Sequence, residues 1–342
     1  MQQMLQNIKA LLEKPSNFSI VIHRNPDGDA IGSGLALQAF LNKLGHQVSL
    51  ISPNEVPNYL KWLPKTDQII IFEENPELAK KKLSDADLIF TLDFNDFSRV
   101  SGNFTKYLQE IAPYKTFVMI DHHLEPSEYA QFKFSDPEKS STSEMVYDFI
   151  VNLGYKDLID KDMATDLYTG IMTDTGSFKF PNTTPHTMCV AADLMSHGIN
   201  HNKIQIKIYD SFSLNKLHLL GEALNKLVFL PQYKTAYIAL SKEELQKYHY
   251  QKGDTEGFVN YGLALNDANF AALFLENDDE GVRISFRSKG DVPANEFAKK
   301  YFNGGGHKNA AGGRTKQSLN EAVNTFLEKL PEFKSKLIHA NI

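Results

Sequence analysis

The sequence contains a single cysteine, Cys189, in 342 residues, so no disulfide bond can form within the chain. Such sparse use of cysteine is typical of proteins from a reducing compartment. No apolar run approaches the ~20 residues that a membrane-spanning helix needs. The first residues lack the basic and apolar segments of a signal peptide. We therefore predict a cytoplasmic protein with no membrane-embedded part.

The sequence also lacks a surplus of basic residues, since its formal net charge is −6 at pH 7. That balance argues against a general nucleic-acid coat protein, which would usually be basic. It still permits a small anionic substrate at one site, where local charges or metal ions decide binding. Hydrophobic residues make up 42% of the chain, enough for a large core and against extensive disorder. The length allows two domains of ordinary size.

The first half of the sequence alternates between short apolar runs and amphipathic stretches. Short apolar runs are typical of strands buried on both faces, and their alternation with helices indicates a parallel sheet. We predict an α/β fold whose parallel sheet has helices on both faces. The predicted strands are 18–23, 47–51, 68–72, 87–92 and 116–120, and the main predicted helices are 4–14, 30–44, 145–153, 162–172 and 185–198.

Two of these helices begin with recognisable cap residues. Ser141 and Glu144 have the spacing of a capping box, which predicts that each side chain bonds the backbone of the other. Thr184 followed by Pro185 predicts a cap with proline at the first helical position.

After Pro231 the pattern changes, and we divide the chain into three parts. Residues 1–197 form the first domain, 198–228 a helical connector, and 229–342 a smaller α/β domain with a mixed sheet. A glycine-rich segment, 303–313, precedes the last helix. In the second domain the predicted strands are 235–240, 270–275 and 282–286, and the predicted helices are 241–248, 256–265, 293–301 and 318–330.

Residues of the kind that bind metals follow several of the apolar runs. Asp121, His122 and His123 come directly after the strand 116–120, at the sheet edge where ligands bind in open α/β folds. Imidazole with carboxylate suits ions of intermediate hardness such as Mn²⁺, whereas carboxylates alone favour Mg²⁺ or Ca²⁺. Two ions ~3.5–4 Å apart are the usual clamp for phosphoester hydrolysis. Further residues of this kind are His23, Asp27, Asp29, Asp93 and Asp174.

Each of these residues also has an ordinary structural interpretation. A lone Asp after a strand is most often a helix N-cap or a turn residue, which applies to Asp93 and Asp174 taken singly. A lone His at a strand end is more often a hydrogen-bonded polar residue than a ligand. Clusters are harder to explain by folding alone, because buried polar groups must be satisfied. We therefore favour metal binding for the clusters 23–29 and 121–123.

Five motifs in order along the chain resemble those of a known family. Four of them resemble the motifs of the DHH phosphoesterases, and Gly304-Gly305-Gly306-His307 resembles the substrate-binding motif of the C-terminal DHH-associated domain. The resemblance spans about residues 18–315, and the size of the chain is similar to that of the nanoRNase/pAp-phosphatase branch. The four motifs are His23-Arg24-Asn25-Pro26-Asp27-Gly28-Asp29-Ala30-Ile31-Gly32-Ser33, Asp93 with Arg99, Asp121-His122-His123, and Gly170-Ile171-Met172-Thr173-Asp174-Thr175-Gly176.

The resemblance implies two divalent metal ions, most readily Mn²⁺ and otherwise Mg²⁺, with Asp93 as a catalytic residue that bridges them. Asp121 would orient a ligand imidazole. His123, the other catalytic residue, would hydrogen-bond the scissile phosphate or donate a proton to the leaving oxygen. Phe94 is bulkier than expected and is taken as variation outside the ligand set. The ligands would be His23, Asp27 and Asp93 for one ion, and Asp29, Asp93, His122 and Asp174 for the other.

The second domain carries the candidate substrate contacts. Consecutive glycines let backbone N–H groups approach an anion closely, although a flexible loop or a helix C-cap is the alternative. Arg283 and Arg287 fall on one side of a predicted strand and could bind phosphate. Surface solvation is the alternative for Arg283, whereas the resemblance favours Arg287 as a ligand. The full set of expected substrate contacts is Arg99, Arg283, Arg287, Gly304, Gly305, Gly306 and His307.

The resemblance implies an enzyme that degrades very short RNA (nanoRNA) to mononucleotides. It also implies removal of the 3′-phosphate from adenosine 3′,5′-bisphosphate (pAp), which gives AMP. We predict attack by a metal-bridged hydroxide without a covalent intermediate. The expected partners are short RNA oligonucleotides and pAp as substrates, with no membrane and no obligatory protein partner, in a monomer or homodimer.

Other functions stay open at this point. A phosphodiesterase for cyclic dinucleotides or their linear products, pApA and pGpG, is the main alternative. A nucleotide-binding regulatory protein would be expected to lack Asp93, His122 or His123. Inorganic pyrophosphatases and exopolyphosphatases share the first-domain motifs, but the Gly-Gly-Gly-His segment favours nucleotides. An exonuclease for long strands is disfavoured, since the sequence has no basic stripe to track a strand.

Overall fold

The computed structural model describes residues 2–100, 102–251, 253–277 and 281–340 of the chain. The chain divides into two compact units, Met1–Ser211 and Phe212–Ile342. This boundary falls inside the predicted connector, and the roles assigned to the predicted domains stay predictions. Among the described residues, no helix combines the length and the apolarity that a membrane span requires.

The first unit is built on a sheet of six parallel strands in the order β3-β2-β1-β4-β5-β6. The predicted parallel α/β fold is thus confirmed, with β3 shorter than predicted. The edge strand β6 was not predicted, because Phe-Lys-Phe-Ser alternates in polarity and is not an apolar run. The strands are β1 (Asn17–Ile22), β2 (Gln47–Ser52), β3 (Ile70–Ile71), β4 (Leu88–Leu92), β5 (Phe117–Asp121) and β6 (Phe132–Ser135).

Helices cover both faces of this sheet, as predicted. They are α1 (Gln2–Leu11), α2 (Gly28–Lys43), α3 (Pro76–Asp85), α4 (Gly102–Ile111), α5 (Thr142–Asn152), α6 (Lys161–Asp174), α7 (Pro185–Ser196) and α8 (His201–Tyr209). Side chains alternate between the two faces along a strand. Ile20 and Ile22 of β1 lie in the apolar cluster that includes α2, α5 and α6. Val21, between them, lies in the opposite cluster with Ala79 and Leu83 of α3.

The two predicted helix starts are confirmed to different extents. At α7, Thr184 is the N-cap and Pro185 follows it, as predicted. Thr184 and Thr187 also form a reciprocal capping box, which was not predicted. At α5, Ser141 Oγ accepts a hydrogen bond from the Glu144 backbone N–H at 3.0 Å. The reciprocal half of that predicted capping box is wrong. The Glu144 carboxylate accepts instead from the Thr187 hydroxyl, a buried donor beside it.

The second unit, taken by itself, contains a sheet in the order β11-β12-β10-β9-β8-β7. Its strands are β7 (Val228–Leu230), β8 (Thr235–Leu240), β9 (Phe270–Asn277), β10 (Gly281–Ser288), β11 (Gly305–His307) and β12 (Ala310–Thr315). Its helices are α9 (Leu214–Asn225), α10 (Lys242–Lys247), α11 (Phe258–Leu263), α12 (Ala294–Tyr301) and α13 (Leu319–Ile338). The predicted mixed sheet is confirmed, because β8 and β9 are parallel and the other neighbours are antiparallel.

Two elements of the second unit differ from the sequence-based expectation. The glycine-rich segment forms the antiparallel pair β11 and β12, where an open loop or a helix cap was the alternative to anion binding. Helix α13 continues through Pro331, so its predicted end at residue 330 is wrong. Proline removes one helical hydrogen bond. Leu330, Phe333 and Leu337 are nevertheless all buried, and their packing keeps the chain helical.

Candidate metal centre

The residues of the first unit that could bind metal ions meet at one edge of its sheet. Strand β4 pairs with β1 on one side and with β5 on the other, all in parallel. His23 follows β1, Asp93 follows β4, and His122 and His123 follow β5, so these side chains share the carboxyl edge. Asp174 comes from another element, as the last residue of α6.

The first candidate metal group consists of His23, Asp27 and Asp93, whose potential ligand atoms all lie within 4.8 Å of one another. His23 Nε2 is 3.3 Å from Asp93 Oδ2 and 3.8 Å from Asp27 Oδ1. The other ring nitrogen, Nδ1, donates to the Arg24 carbonyl at 2.9 Å. This hydrogen bond fixes the ring and directs Nε2 at the carboxylates, which is how metal-binding imidazoles are usually held.

The second candidate group consists of Asp29, His122 and Asp174. His122 Nε2 is 3.4 Å from Asp174 Oδ2 and 3.9 Å from Asp29 Oδ2. Its Nδ1 donates to the Lys139 carbonyl at 3.2 Å. Both candidate groups therefore contain an imidazole whose far nitrogen is fixed by a backbone carbonyl.

Asp93 lies between the two groups. Its Oδ2 faces His23, and its Oδ1 is 3.5 Å from His122 Nε2. Its backbone is left-handed, with φ of +63°, a conformation that Asp tolerates better than most residues. Backbone strain of this kind clusters at functional sites. The structure thus brings all six proposed ligands together around a carboxylate that faces both histidines, and their binding of metal stays a prediction.

The start of α5 holds two of these carboxylates, which the sequence did not lead us to expect. Asp29 accepts hydrogen bonds from the Thr142 and Ser143 backbone N–H groups at 2.7 and 2.8 Å. The Thr142 hydroxyl donates to Asp93 Oδ1 at 3.0 Å. A helix N-terminus favours negative charge in this position. The available signal was the run of four hydroxyl residues, 140–143, which spans the start of a buried helix.

Asp27 has a structural role as well as its place in the first group. Its Oδ1 accepts from the Asp29 and Ala30 backbone N–H groups at 3.0 and 3.1 Å. Asp27 is therefore the N-cap of α2. The cap fixes the direction of this carboxylate beside His23.

Two glycines let α6 approach this cluster closely. A Cβ at Gly170 would overlap the Ser143 side chain and lie 2.9 Å from Asp29 Oδ1. A Cβ at Gly28 would overlap the Thr173 side chain. Glycine at both positions thus has a packing reason, since any larger residue would push α6 away from the carboxylates.

Asp121 orients His123 and not a proposed metal ligand. Its Oδ1 accepts from His123 Nδ1 at 2.7 Å, and its Oδ2 accepts from the His123 backbone N–H at 3.2 Å. The prediction that Asp121 orients a ligand imidazole is corrected, because the His122 ring bonds the Lys139 carbonyl instead. His123 Nε2 lies 3.4 Å from Arg99 Nη2, so the ring and the guanidinium are neighbours.

The nearby carboxylates change the pKa values of the two histidines in the candidate metal groups, His23 and His122. Burial disfavours the charged form of His23, but hydrogen bonds and charges from Asp27 and Asp93 outweigh burial and raise its pKa from 6.5 to about 10. Burial also opposes protonation of His122, and the nearby Asp174 and Asp93 carboxylates raise its pKa well above 6.5. Without metal, the protons bound to these two histidines therefore neutralise part of the negative charge of the carboxylates, as bound cations would.

The pKa values of the carboxyl groups in the cluster are shifted in opposite directions. Burial and the charges of Asp93 and Asp174 raise the pKa of Asp29 well above 3.8. Burial and the charges of Asp27 and Asp93 raise the pKa of Asp174 to about 6. Burial opposes ionisation of Asp93 too, but hydrogen bonds from the two imidazoles hold its pKa well below 3.8. Four carboxylates this close need positive charge, and a donor set of carboxylates and imidazoles fits divalent metal ions.

The proposed substrate contacts of the second unit lie on its sheet. Arg283 and Arg287 alternate with buried residues along β10, so both side chains are on one face, as predicted. Arg287 Nη1 donates to the Phe286 carbonyl at 3.0 Å. Arg287 pairs across the sheet with Ala310, which in turn pairs with His307. The contacts of these residues with substrate stay predictions.

The glycines of the Gly-Gly-Gly-His segment differ from one another. A Cβ at Gly304 would overlap the Gly312 carbonyl, and one at Gly306 would overlap the Ala310 carbonyl. A Cβ at Gly305 would meet nothing within 4 Å. Close backbone pairing therefore explains the first and third glycines, and Gly305 lies beside open space where an anion could approach.

Comparisons with known proteins find matches for both units of the chain. The model of the DHH family, N-terminal domain, matches residues 17–171, and that of the DHHA1 domain matches residues 232–336. The bifunctional oligoribonuclease and PAP phosphatase NrnA of Thermus thermophilus is 32% identical, over 92% of this chain and 89% of that protein. The protein of the same name from Bacillus subtilis is 27% identical, over 86% of this chain and 88% of that protein.

A solved structure is similar over the whole chain. The crystal structure of an exopolyphosphatase-related protein from Bacteroides fragilis is 38% identical in sequence, with a TM-score of 0.93. The match covers 98% of each chain. The fold described above is therefore that of a known protein structure.

Proposed function

This chain belongs to the DHH family of phosphoesterases, and from that membership we propose that it hydrolyses very short RNA to mononucleotides and pAp to AMP. One observation carries the proposal, namely the carboxylate of Asp93 between His23 and His122 in a cluster of six metal-type side chains. Relatives named as oligoribonuclease and PAP phosphatase match nearly the full chain, which supports this choice of substrates.

We propose that the cluster binds two divalent ions, with Mn²⁺ as the preferred metal. Imidazole ligands beside carboxylates favour Mn²⁺ over Mg²⁺. When bound, two such ions lower the pKa of a water molecule and neutralise charge on the phosphoryl oxygens. The proposed ligands are His23, Asp27 and Asp93 for one ion, and Asp29, Asp93, His122 and Asp174 for the other.

His123 is the proposed substrate-facing catalytic residue. Asp121 accepts from Nδ1, so we assign the contact with substrate to the other ring nitrogen, Nε2. That nitrogen would hydrogen-bond the scissile phosphate or donate a proton to the leaving oxygen. Arg99, 3.4 Å from Nε2, would contact the same phosphate through its guanidinium.

The second unit supplies the proposed nucleotide contacts. Arg287 and Arg283 share a face of β10, and guanidinium groups bind phosphate in a bidentate manner. His307 and the glycines before it would bind a terminal phosphate or nucleotide, with Gly305 nearest to open space. We further propose that the enzyme acts in the cytoplasm, as a monomer or homodimer without an obligatory protein partner.

A substrate panel tests the proposed function. Purified protein is incubated with pAp, RNA dimers to pentamers, pApA, pGpG, cyclic dinucleotides and pyrophosphate, first with Mn²⁺ and then with Mg²⁺. We expect AMP from pAp and mononucleotides from the short RNAs, measured by chromatography, with faster release in Mn²⁺.

Each other outcome points to a different function. Hydrolysis of cyclic dinucleotides or of pApA and pGpG alone would favour the phosphodiesterase alternative. Nucleotide binding without release of any product in either metal would contradict an enzyme and favour a regulatory protein. Affinity that keeps rising beyond about five nucleotides would indicate a long-strand exonuclease.

A further inference from the structure

Glu144 is a buried carboxylate that the proposed chemistry does not use. Its side chain lies on the first turn of α5, and only 1% of the residue is exposed. Its Oε2 accepts from Ser140 Oγ and from Thr187 Oγ1, both at 2.6 Å. Its Oε1 lies 3.2 Å from Lys139 Nζ. Both oxygens of this carboxylate therefore make charge-assisted contacts with residues of neighbouring segments.

Two of the residues that Glu144 contacts, Lys139 and Ser140, belong to a segment that hydrogen-bonds residues of the candidate metal centre. We name residues 139–143 the support segment. Its main-chain groups and one hydroxyl bond three of the proposed metal ligands, which are His122, Asp93 and Asp29. A shift of this segment would move the hydrogen-bond partners of both candidate metal groups together.

The support segment is also tied to the chain that follows α6. Asn182 Nδ2 donates to the Ser140 carbonyl at 2.9 Å and lies 3.5 Å from the Asp174 carbonyl. Thr187, which donates to Glu144, is in the first turn of α7. Glu144 and Asn182 thus connect the support segment with the loop that runs from Asp174 to α7.

The surroundings of Glu144 argue against a third metal group. Glu144, Asp148 and His186 lie close enough for their oxygens and a ring nitrogen to hold an ion. Lys139 Nζ, however, is 2.6 Å from Asp148 Oδ2 and 3.2 Å from Glu144 Oε1. An ammonium group therefore already supplies the positive charge between these carboxylates, so their arrangement is one of ion pairing.

We infer that Glu144 is a positioning residue of the metal centre, which fixes the support segment so that its carbonyl, hydroxyl and N–H groups meet His122, Asp93 and Asp29. Glu144 contacts neither the substrate nor the ions that we propose. The inference rests on the proposed function for the identity of the centre. Loss of groups that orient metal ligands typically lowers metal affinity or activity 10–100-fold.

The test compares Glu144→Gln with the unaltered chain. Glutamine keeps the size but removes the charge opposite Lys139 and replaces one acceptor oxygen by a donor. We expect Mn²⁺ to bind ~10–100-fold more weakly in titration calorimetry. The melting temperature is measured in parallel with EDTA present, to separate metal affinity from the stability of the metal-free protein.

Asp166→Asn is the matched control. Asp166 is another buried carboxylate, 3% exposed on α6, and it belongs to neither candidate metal group. We expect this variant to change the melting temperature while its affinity for Mn²⁺ stays that of the unaltered chain. An equal loss of Mn²⁺ affinity in both variants would mean that affinity simply follows stability, which would overturn the inference.

The remaining outcomes also decide the matter. Unchanged Mn²⁺ affinity in Glu144→Gln would overturn the positioning role. If that variant does not fold, Ser140→Ala removes one donor to Glu144, and we expect a smaller loss of Mn²⁺ affinity, whose absence would equally overturn the role. Unaltered protein that binds Mn²⁺ but releases no nucleotide would contradict the proposed function alone. Unaltered protein that binds no Mn²⁺ would contradict both.

Discussion

Asp93 is the ligand that we propose for both ions, because it belongs to the first candidate metal group and its Oδ1 also faces His122 of the second. We expect Asp93→Ala to lower kcat for pAp by more than ~100-fold, because even groups that only support ligands cost up to that factor. Removal of a shared ligand should also reduce the number of Mn²⁺ ions bound. Kinetics and calorimetry on the same sample measure both effects.

Asp87→Asn is the control for that substitution. Asp87 is an exposed aspartate before β4, outside the candidate metal groups, and it accepts a hydrogen bond from the Asn17 backbone. Its kcat and Mn²⁺ binding should match those of the unaltered chain. Near-normal turnover in Asp93→Ala would refute the bridging role.

His23 makes the stability of the metal-free protein depend on pH. Its pKa is about 10 in the folded chain, above the ordinary value of 6.5, so its stabilising contribution is complete below pH 6.5 and is lost as pH rises towards 10. With EDTA present, we expect the melting temperature to fall by at least ~2 °C between pH 6.5 and 10. Differential scanning calorimetry measures this change.

The control for the pH effect is the metal-loaded protein. Metal binding requires neutral imidazole, so Mn²⁺ should displace the His23 proton and remove this part of the slope. A His23→Gln variant should show a shallower slope in EDTA. A melting temperature that stays constant from pH 6.5 to 10 without metal would contradict the raised pKa.

At the scale of elements, helix α6 shows how packing sets the position of a functional group. Gly170 brings α6 against Ser143 and Asp29, with no room for a Cβ. We expect Gly170→Ala to destabilise the protein by about 1–3 kcal/mol, the usual effect of overpacking. Mn²⁺ should also bind more weakly, since Asp29 is displaced. Urea unfolding and calorimetry measure the two effects.

A second helical glycine provides the control. Gly221 lies on the exposed side of α9, and a Cβ there would meet no atom within 4 Å. Gly221→Ala should therefore stabilise the protein by ~0.5–1 kcal/mol, since alanine is the better helix former. If both alanine variants stabilised the chain and kept Mn²⁺ affinity, the packing argument for Gly170 would be wrong.

The start of α5 shows a limit of sequence patterns at the same scale. Ser141 caps the helix where its spacing with Glu144 predicted a cap. The predicted partner of the Glu144 carboxylate, the backbone of Ser141, was wrong. The carboxylate accepts from the buried hydroxyl of Thr187 instead, which is 43 residues away in the sequence. A local pattern can place a helix end, whereas the partners of a buried charge depend on which segments pack against it.

At the scale of the whole molecule, the chain forms two compact units, each with its own sheet. We propose metal binding in the first unit and nucleotide binding in the second, so substitutions in the two units should have separable effects. Arg287→Ala should raise KM for pAp by about 10-fold or more, as expected for the loss of a hydrogen bond to a charged group. Its Mn²⁺ affinity should stay unchanged.

Lys316→Ala is the control for Arg287, because it removes an exposed positive charge just after β12. If it raised KM as much as Arg287→Ala, general electrostatic attraction would explain the effect, and a specific contact would not. A loss of Mn²⁺ binding in Arg287→Ala would contradict the proposed division of roles.

The sequence by itself determined the α/β class, most of the strands and helices, and the identity of the residues in the candidate metal centre. Apolar periodicity is a local property, so buried strands such as β4 and β5 are visible without a structure. The motif residues are also local, since His23 and Asp27 are fixed by one turn and Asp121 to His123 by one strand end. The edge strand β6 was not predicted because its sequence, Phe-Lys-Phe-Ser, lacks a continuous apolar run.

Only the tertiary structure decided which of these residues face one another. The strand order brings the ends of β1, β4 and β5 together, although they lie far apart in the chain. It places Asp93 between two histidines, pairs Asp121 with His123, and turns Glu144 towards the support segment. The physical reason is that buried charges and donors are satisfied by whatever segment packs beside them, and sequence spacing does not specify that neighbour.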